Sequence, residues 1–119
     1  MNKNFEQLEV WKRSCQLTVL IYQVFDGTKD FGFYNQVTRA AVSVPSNIAE
    51  GSERQTKQEF IQFLYIAKGS VAELRTQLYL AARLKKISHE QMSELTNEAK
   101  EISQMLQGLI NSIKKSIHK

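Results

Sequence analysis

Residues 39–51 read RAAVSVPSNIAEG, a helical pattern that runs through a proline. Val37, Ala40, Ala41, Val44 and Ile48 recur at steps of three and four, so the apolar face continues across Pro45. Pro45 has no N–H and its ring crowds the carbonyl of Ala41, which in a helix interior costs roughly 3 kcal/mol unless neighbours absorb the bend. The stretch therefore predicts a helix kinked at Pro45 but not ended by it. Ser43, Ser46 and Asn47 are suited to satisfying the freed backbone groups. Arg39, Ser43, Asn47 and Glu50 follow at steps of four, four and three, a single polar line along the same helix.

Outward from this stretch the chain reads as helices and short loops. Helix one is expected over about 5–25, with Asn4 and Gln7 as a capping box and Gly27 as its stop. Phe5, Leu8, Trp11, Cys15, Val19, Tyr22 and Phe25 form its expected core stripe. Val10, Leu17, Ile21 and Val24 form a second stripe that one core cannot hide together with the first, and it is assigned to contact with another subunit. Asp30 is a candidate cap for helix two, expected over 33–50 and closed at Gly51 in the left-handed conformation.

Thr56 and Glu59 make a capping box for helix three, over 56–84, whose seam is Phe60, Leu64, Ala67, Val71, Leu74, Leu78 and Ala81. Ala67, Gly69, Ser70 and Ala72 are small enough to admit helix two closely, and folding back at residues 51–55 brings Arg39 level with Ser70 and Glu73. Ser88 and Gln91 box the start of helix four, over 88–117, with an apolar seam from Met92 to Ile113. The expected fold is all-α, an antiparallel up-down-up-down four-helix bundle with a proline-kinked second helix.

Composition bounds the rest. At 119 residues and 42% apolar, the chain is one domain with an ordinary core, and one proline with five glycines points away from an all-β fold. The lone Cys15 cannot form an internal disulfide, which fits a reducing, cytoplasmic compartment. No apolar run approaches the roughly 20 residues of a membrane span, and the start MNKNFEQLEVW lacks the apolar stretch of a signal peptide, so a soluble, unexported protein is expected.

Two readings of the polar line stand. With Glu73 on the facing helix, Arg39, Ser43, Asn47 and Glu50 make either a buried network that holds helix two in register or a ligand-facing patch. His89 and His118 have no partner at ligand spacing, the seams are apolar, and the glycines at 27, 32, 51, 69 and 108 form no phosphate loop. No metal, cofactor or small-molecule substrate is expected, and the chain reads as a non-enzyme.

The net charge is +4, from sixteen Lys and Arg against twelve Asp and Glu. Arg54 and Lys57 fall at the same bundle end as Lys3 and the basic tail of Lys114, Lys115, His118 and Lys119. Arg83, Lys85 and Lys86 crowd the end of helix three, where they also complement the helix dipole. Each group serves as a solvated helix end or as part of a nucleic-acid surface, and repetition in a ring of subunits would multiply the positive potential.

RAAVSVPSNIAEG, followed by RQTKQEFIQFLYIAKGSVAEL at 54–74 and preceded by FEQLEVW at 5–11, closely resembles the four helix bundle family also called the 23S rRNA intervening sequence protein. The resemblance spans all four helices. It implies an up-down-up-down bundle assembled as a homopentamer, with no enzymatic activity. A similar relative, the accessory variability determinant of diversity-generating retroelements, is a basic pentamer that works with a reverse transcriptase and RNA. The resemblance therefore implies an RNA-binding or nucleoprotein adaptor, the alternative being a protein-interaction scaffold with no nucleic-acid role.

Overall fold

The structure is a computed structural model that describes residues 4–117. A single 3-10 turn, Phe5–Gln7, precedes α1 (Glu9–Val24), α2 (Phe31–Ser52), α3 (Lys57–Arg83) and α4 (His89–Ile117). The described residues are all helix, turn or loop, so the chain is all-α, and the four helices pack side by side in a rod of 50 × 20 × 20 Å.

Side-chain contacts give the register. Thr18 of α1 meets Ala41 of α2, and Tyr22 stands edge-on to Tyr34 with ring centroids 6.0 Å apart. Lys57 reaches Ser116 and Lys68 reaches Gln107, so partner numbers fall along α4 as they rise along α3. Arg13 of α1 grips α4, its Nε 2.9 Å from Glu98 and its Nη2 2.8 Å from Glu101.

The seam of α3 is buried as its spacing predicts, that of α4 likewise except that Met92 and Leu109 are half-buried and Ile110 is buried instead, and Val37, Ala40, Ala41, Val44 and Ile48 carry the core across α2. Helix α1 departs in part from expectation: Phe25 of the expected core stripe is buried and Leu8 and Trp11 pack against the core, but the rest of the buried line differs. Val10, Leu17 and Ile21, assigned to a subunit contact, are core residues, and Val24 packs against that core. Val19 and Tyr22 of the expected core stripe are exposed, at 55% and 42%. The buried line is Val10, Ser14, Leu17 and Ile21, steps of four, three and four, and the polar Ser14 hides it from an apolar count. Ser14 is tolerated inside because its hydroxyl donates to Trp11 O at 2.9 Å.

The helix ends follow local chemistry. Asp30 Oδ1 accepts from Phe33 N at 3.1 Å, which starts α2 two residues before the expected boundary. The Thr56–Glu59 capping box is complete, and Ser88 and Gln91 bond reciprocally at 3.0 and 2.9 Å. Asn4 and Gln7 do not cap α1, because extended Leu8 separates the 3-10 turn from the helix. Gly27, at φ 84°, closes the turn after α1.

Gly51 stays helical inside α2 and is not a left-handed cap. A Cβ there would lie 2.5 Å from Phe63 Cβ, so its bare backbone lets α2 and α3 meet. The expected small-residue patch is only half used: Ala67 is buried in the core and Ser70 lines the groove against α2, whereas a Cβ at Gly69 would meet nothing within 4 Å and Ala72 is exposed.

Candidate functional site

Pro45 sits in the interior of α2, and the carbonyl it orphans is Ala41 O. That oxygen is met by Thr18 Oγ1 of α1 at 3.1 Å, not by the serines and asparagine of its own helix. Ser43 Oγ donates instead to Ala40 O at 2.9 Å, and Asn47 Nδ2 to Ser43 O at 2.7 Å.

Arg39, Ser43 and Asn47 of α2 share one groove with Ser70 and Glu73 of α3, the level expected from the loop geometry. Glu50 is exposed and does not line it. Arg39 and Glu73 are also exposed, and among the described residues neither joins an ion pair. The buried network expected to hold α2 in register is therefore absent: both charges stand at the outer edges of their helices, where water solvates them.

A second arrangement lies on the opposite side of α3. Lys57, Ile61, Tyr65, Lys68, Ala72, Arg75, Tyr79 and Arg83 follow at steps of four, four, three, four, three, four and four, one line without a carboxylate. It borders α4 at Gln107, which accepts from Lys68 at 2.7 Å, at Lys114 and at Lys100, which lies near Tyr79. Lys114 Nζ donates to Tyr65 Oη at 3.1 Å and lies 5.4 Å from the ring centroid, and Lys68 Nζ lies over the same ring at 6.0 Å.

Lys114, with Gln107, holds the Tyr65 phenol below its ordinary value, and Arg75, with Lys100, does the same for Tyr79. Among the described residues none of Lys57, Lys68, Arg75, Arg83, Lys100 and Lys114 is paired with a carboxylate. The acids of α4 lie on its other flank, where Glu98 and Glu101 hold Arg13.

The cations nominated from sequence divide accordingly. Lys57, Arg83 and Lys114 stand on this strip, and Lys115 is exposed beside it. Arg54 pairs with Glu59 at 3.1 Å, and Lys86 pairs with Asp30 at 2.9 Å and lies over Phe33. Lys85 takes the left-handed conformation, φ 61°, that closes α3. Lys3, His118 and Lys119 lie outside the described residues. Lys68, Arg75 and Lys100 were not singled out, although an acid-free line at helical spacing was there to find them.

The outer surfaces of α1 and α2 carry exposed apolar side chains. Val19, Leu20 and Tyr22 on α1 and Phe31 and Val42 on α2 are exposed, and Cys15 is half-buried beside them. Burial pushes the Cys15 thiol up, away from a reactive thiolate. No helix among the described residues is long and apolar enough to cross a membrane. No group of three or more metal-ligating side chains occurs among them.

No curated protein matches the chain. A crystal structure at 1.70 Å of a protein with unknown function from the S23 ribosomal protein family of Bacteroides thetaiotaomicron VPI-5482 is similar. It is 28% identical, with a TM-score of 0.80 over 85% of this chain and 97% of that one. The sequence model of the 23S rRNA-intervening sequence protein matches residues 6–108. Four helices, the helical proline and this match across most of the chain agree: the protein belongs to the 23S rRNA-intervening sequence protein family.

Proposed function

We propose that this protein is a non-catalytic, self-associating adaptor of the cytoplasm that binds RNA or a nucleoprotein. The observation that carries the reading is the acid-free strip on α3 and α4, where six cations, four exposed and two half-buried, and two exposed tyrosines have no carboxylate partner among the described residues. Such a surface is complementary to a phosphate backbone through charge and counterion release. The family resemblance to a determinant that works with a reverse transcriptase and RNA supports the same reading.

Self-association rests on the exposed apolar face of α1 and α2, because a large apolar patch on a soluble chain marks a contact surface. Assembly as a pentamer follows from the resemblance alone. The same face supports the second reading, a protein scaffold without a nucleic-acid role.

Solution mass by light scattering, with and without a structured bacterial RNA at low and high salt, separates the two. An adaptor gains mass with RNA, and the gain disappears as salt rises. The triple variant Lys68→Ala, Arg75→Ala, Lys100→Ala should lower affinity and reduce the salt slope by about three. A particle indifferent to RNA at every salt leaves the scaffold.

A further inference from the structure

The strip has a feature that charge complementarity does not require. Its cations alternate with aromatic rings: Tyr65 stands between Lys57 and Lys68 along α3, and Tyr79 between Arg75 and Arg83. Both rings are well exposed, at 43% and 38%, on a helix whose other aromatic residues, Phe60 and Phe63, are buried or half-buried. A duplex presents only phosphates and groove edges to a convex helical surface and offers an exposed tyrosine no base face. A single strand presents both a backbone for the cations and unstacked bases for the rings.

Resting on the nucleic-acid reading, we infer that the ligand of the α3–α4 strip is a single-stranded nucleic acid, its bases stacked on Tyr65 and Tyr79 and its phosphates on the flanking Lys and Arg. The two tyrosines are fourteen positions apart, roughly 21 Å along α3 at 1.5 Å per residue. At about 3.4 Å per stacked nucleotide, that distance spans roughly six nucleotides.

In the free protein Lys68 and Lys114 lie over the Tyr65 ring. Both are long, flexible side chains, so an arriving strand takes the two ammonium groups onto its phosphates and leaves the ring face to a base. Arg75 and Lys100 are the cations near Tyr79, and their charge favours its phenolate. The hydroxyls are not required for stacking, so phenylalanine should replace either tyrosine.

The test is fluorescence anisotropy at fixed low salt with three probes: a 12-mer oligouridylate, a 12-base-pair RNA duplex and inorganic polyphosphate, which has charge but no bases. The oligouridylate should bind best, and affinity in a length series should climb steeply up to about seven nucleotides. Tyr65→Ala and Tyr79→Ala should each weaken it at least about fivefold, with little effect on polyphosphate, while Tyr65→Phe and Tyr79→Phe retain it.

Tyr65→Trp and Tyr79→Trp give a reading that does not depend on the alanine variants folding. Either indole should be quenched by oligouridylate and not by polyphosphate. Equal binding of the three probes, or alanine variants that bind oligouridylate like the parent, would overturn stacking and leave a plain polyanion surface. No binding of any probe at low salt would overturn the nucleic-acid reading itself.

Discussion

Thr18 Oγ1 lies 3.1 Å from the carbonyl oxygen of Ala41, the acceptor that Pro45 deprives of its helical donor. The same hydroxyl is 2.8 Å from Ser14 O, so one proton serves two carbonyls across the α1–α2 contact. Thr18→Val keeps the shape and removes the donor, which should cost about 1–2 kcal/mol in urea unfolding. Pro45→Ala restores an intrahelical N–H, so the cost of Thr18→Val should shrink by at least about 0.5 kcal/mol in that background. Equal costs in the two backgrounds would sever the link between the hydroxyl and the proline.

Gly51→Ala tests the closest approach of α2 and α3. The new methyl would meet Phe63 Cβ at 2.5 Å and Phe60 Cδ1 at 3.1 Å, and neither a Cβ nor a buried ring end moves freely. Overpacking should cost about 1–3 kcal/mol, despite alanine's better helix propensity. A gain in stability would mean that Gly51 is tolerated and not required.

Lys85 holds φ 61° while Lys86 N bonds to Ala81 O at 2.8 Å and Lys85 N to Ala82 O at 3.0 Å, the two bonds of a Schellman motif. Glycine is the residue that geometry favours. Lys85→Gly should raise unfolding free energy by about 0.5–1 kcal/mol, read as a higher denaturation midpoint. Because Lys85 is off the α3–α4 strip, affinity for oligonucleotide should change far less than with Lys68→Ala.

Two carboxyls are held below their ordinary range: Glu59, chiefly by Arg54 and then Thr56, and Asp30, chiefly by Lys86 and then the Phe33 N–H. A depressed folded pKa contributes stability above the unfolded value, near pH 4, and loses it as pH falls through the folded value. Thermal midpoints should hold from pH 7 to about 5 and drop below about 4. Glu59→Gln with Asp30→Asn keeps both caps' acceptor oxygens and should flatten that acid limb. An unchanged limb would place the acid sensitivity elsewhere.

Helix α1 offers a paired test of inside against outside. Leu17→Glu buries a charge where the parent residue is 3% exposed and should unfold the chain, seen as loss of helical circular dichroism. Val19→Glu with Tyr22→Glu changes exposed positions, so the fold should persist while the scattering mass of any assembly falls. A native mass for that double variant would remove the α1 face from self-association.

Periodicity made the four helices legible, along with most of the core. Phe60 to Ala81 and Leu95 to Ile113 show unbroken three-four spacing, and side-chain caps at Thr56 and Ser88 mark where two helices begin. On α1 two stripes competed, and the core takes Leu8, Trp11 and Phe25 from one and Val10, Leu17 and Ile21 from the other: Ser14 interrupts the buried line, and only its bond to Trp11 O makes a buried serine acceptable. The partner of the orphaned carbonyl was illegible for a different reason. Thr18 is twenty-three residues from Ala41, and no local rule joins them. Arg39, Ser43, Asn47 and Glu73 came together as their spacing implied, but spacing does not report how far from the axis of contact two charges stand. The basic strip was partly visible, because clusters at chain ends attract notice whereas Lys68, Arg75 and Lys100 are spread along two helices.

The sorting of charge across α4 also acts at a distance. Glu98 and Glu101 face α1, and Lys100 and Lys114 face α3, so opposite signs are separated across a rod only 20 Å wide. Even with Arg13 offsetting one of the two carboxylates, this sorting contributes an electric moment transverse to the long axis. In the field of a polyanion that moment exerts a torque, turning the α3–α4 side forward while the two bodies are still apart. Orientation precedes contact, and the advantage fades once salt shrinks the Debye length below about 10 Å. The arrangement of α4 thus governs how often an encounter begins with the correct face, independently of how tightly that face then holds.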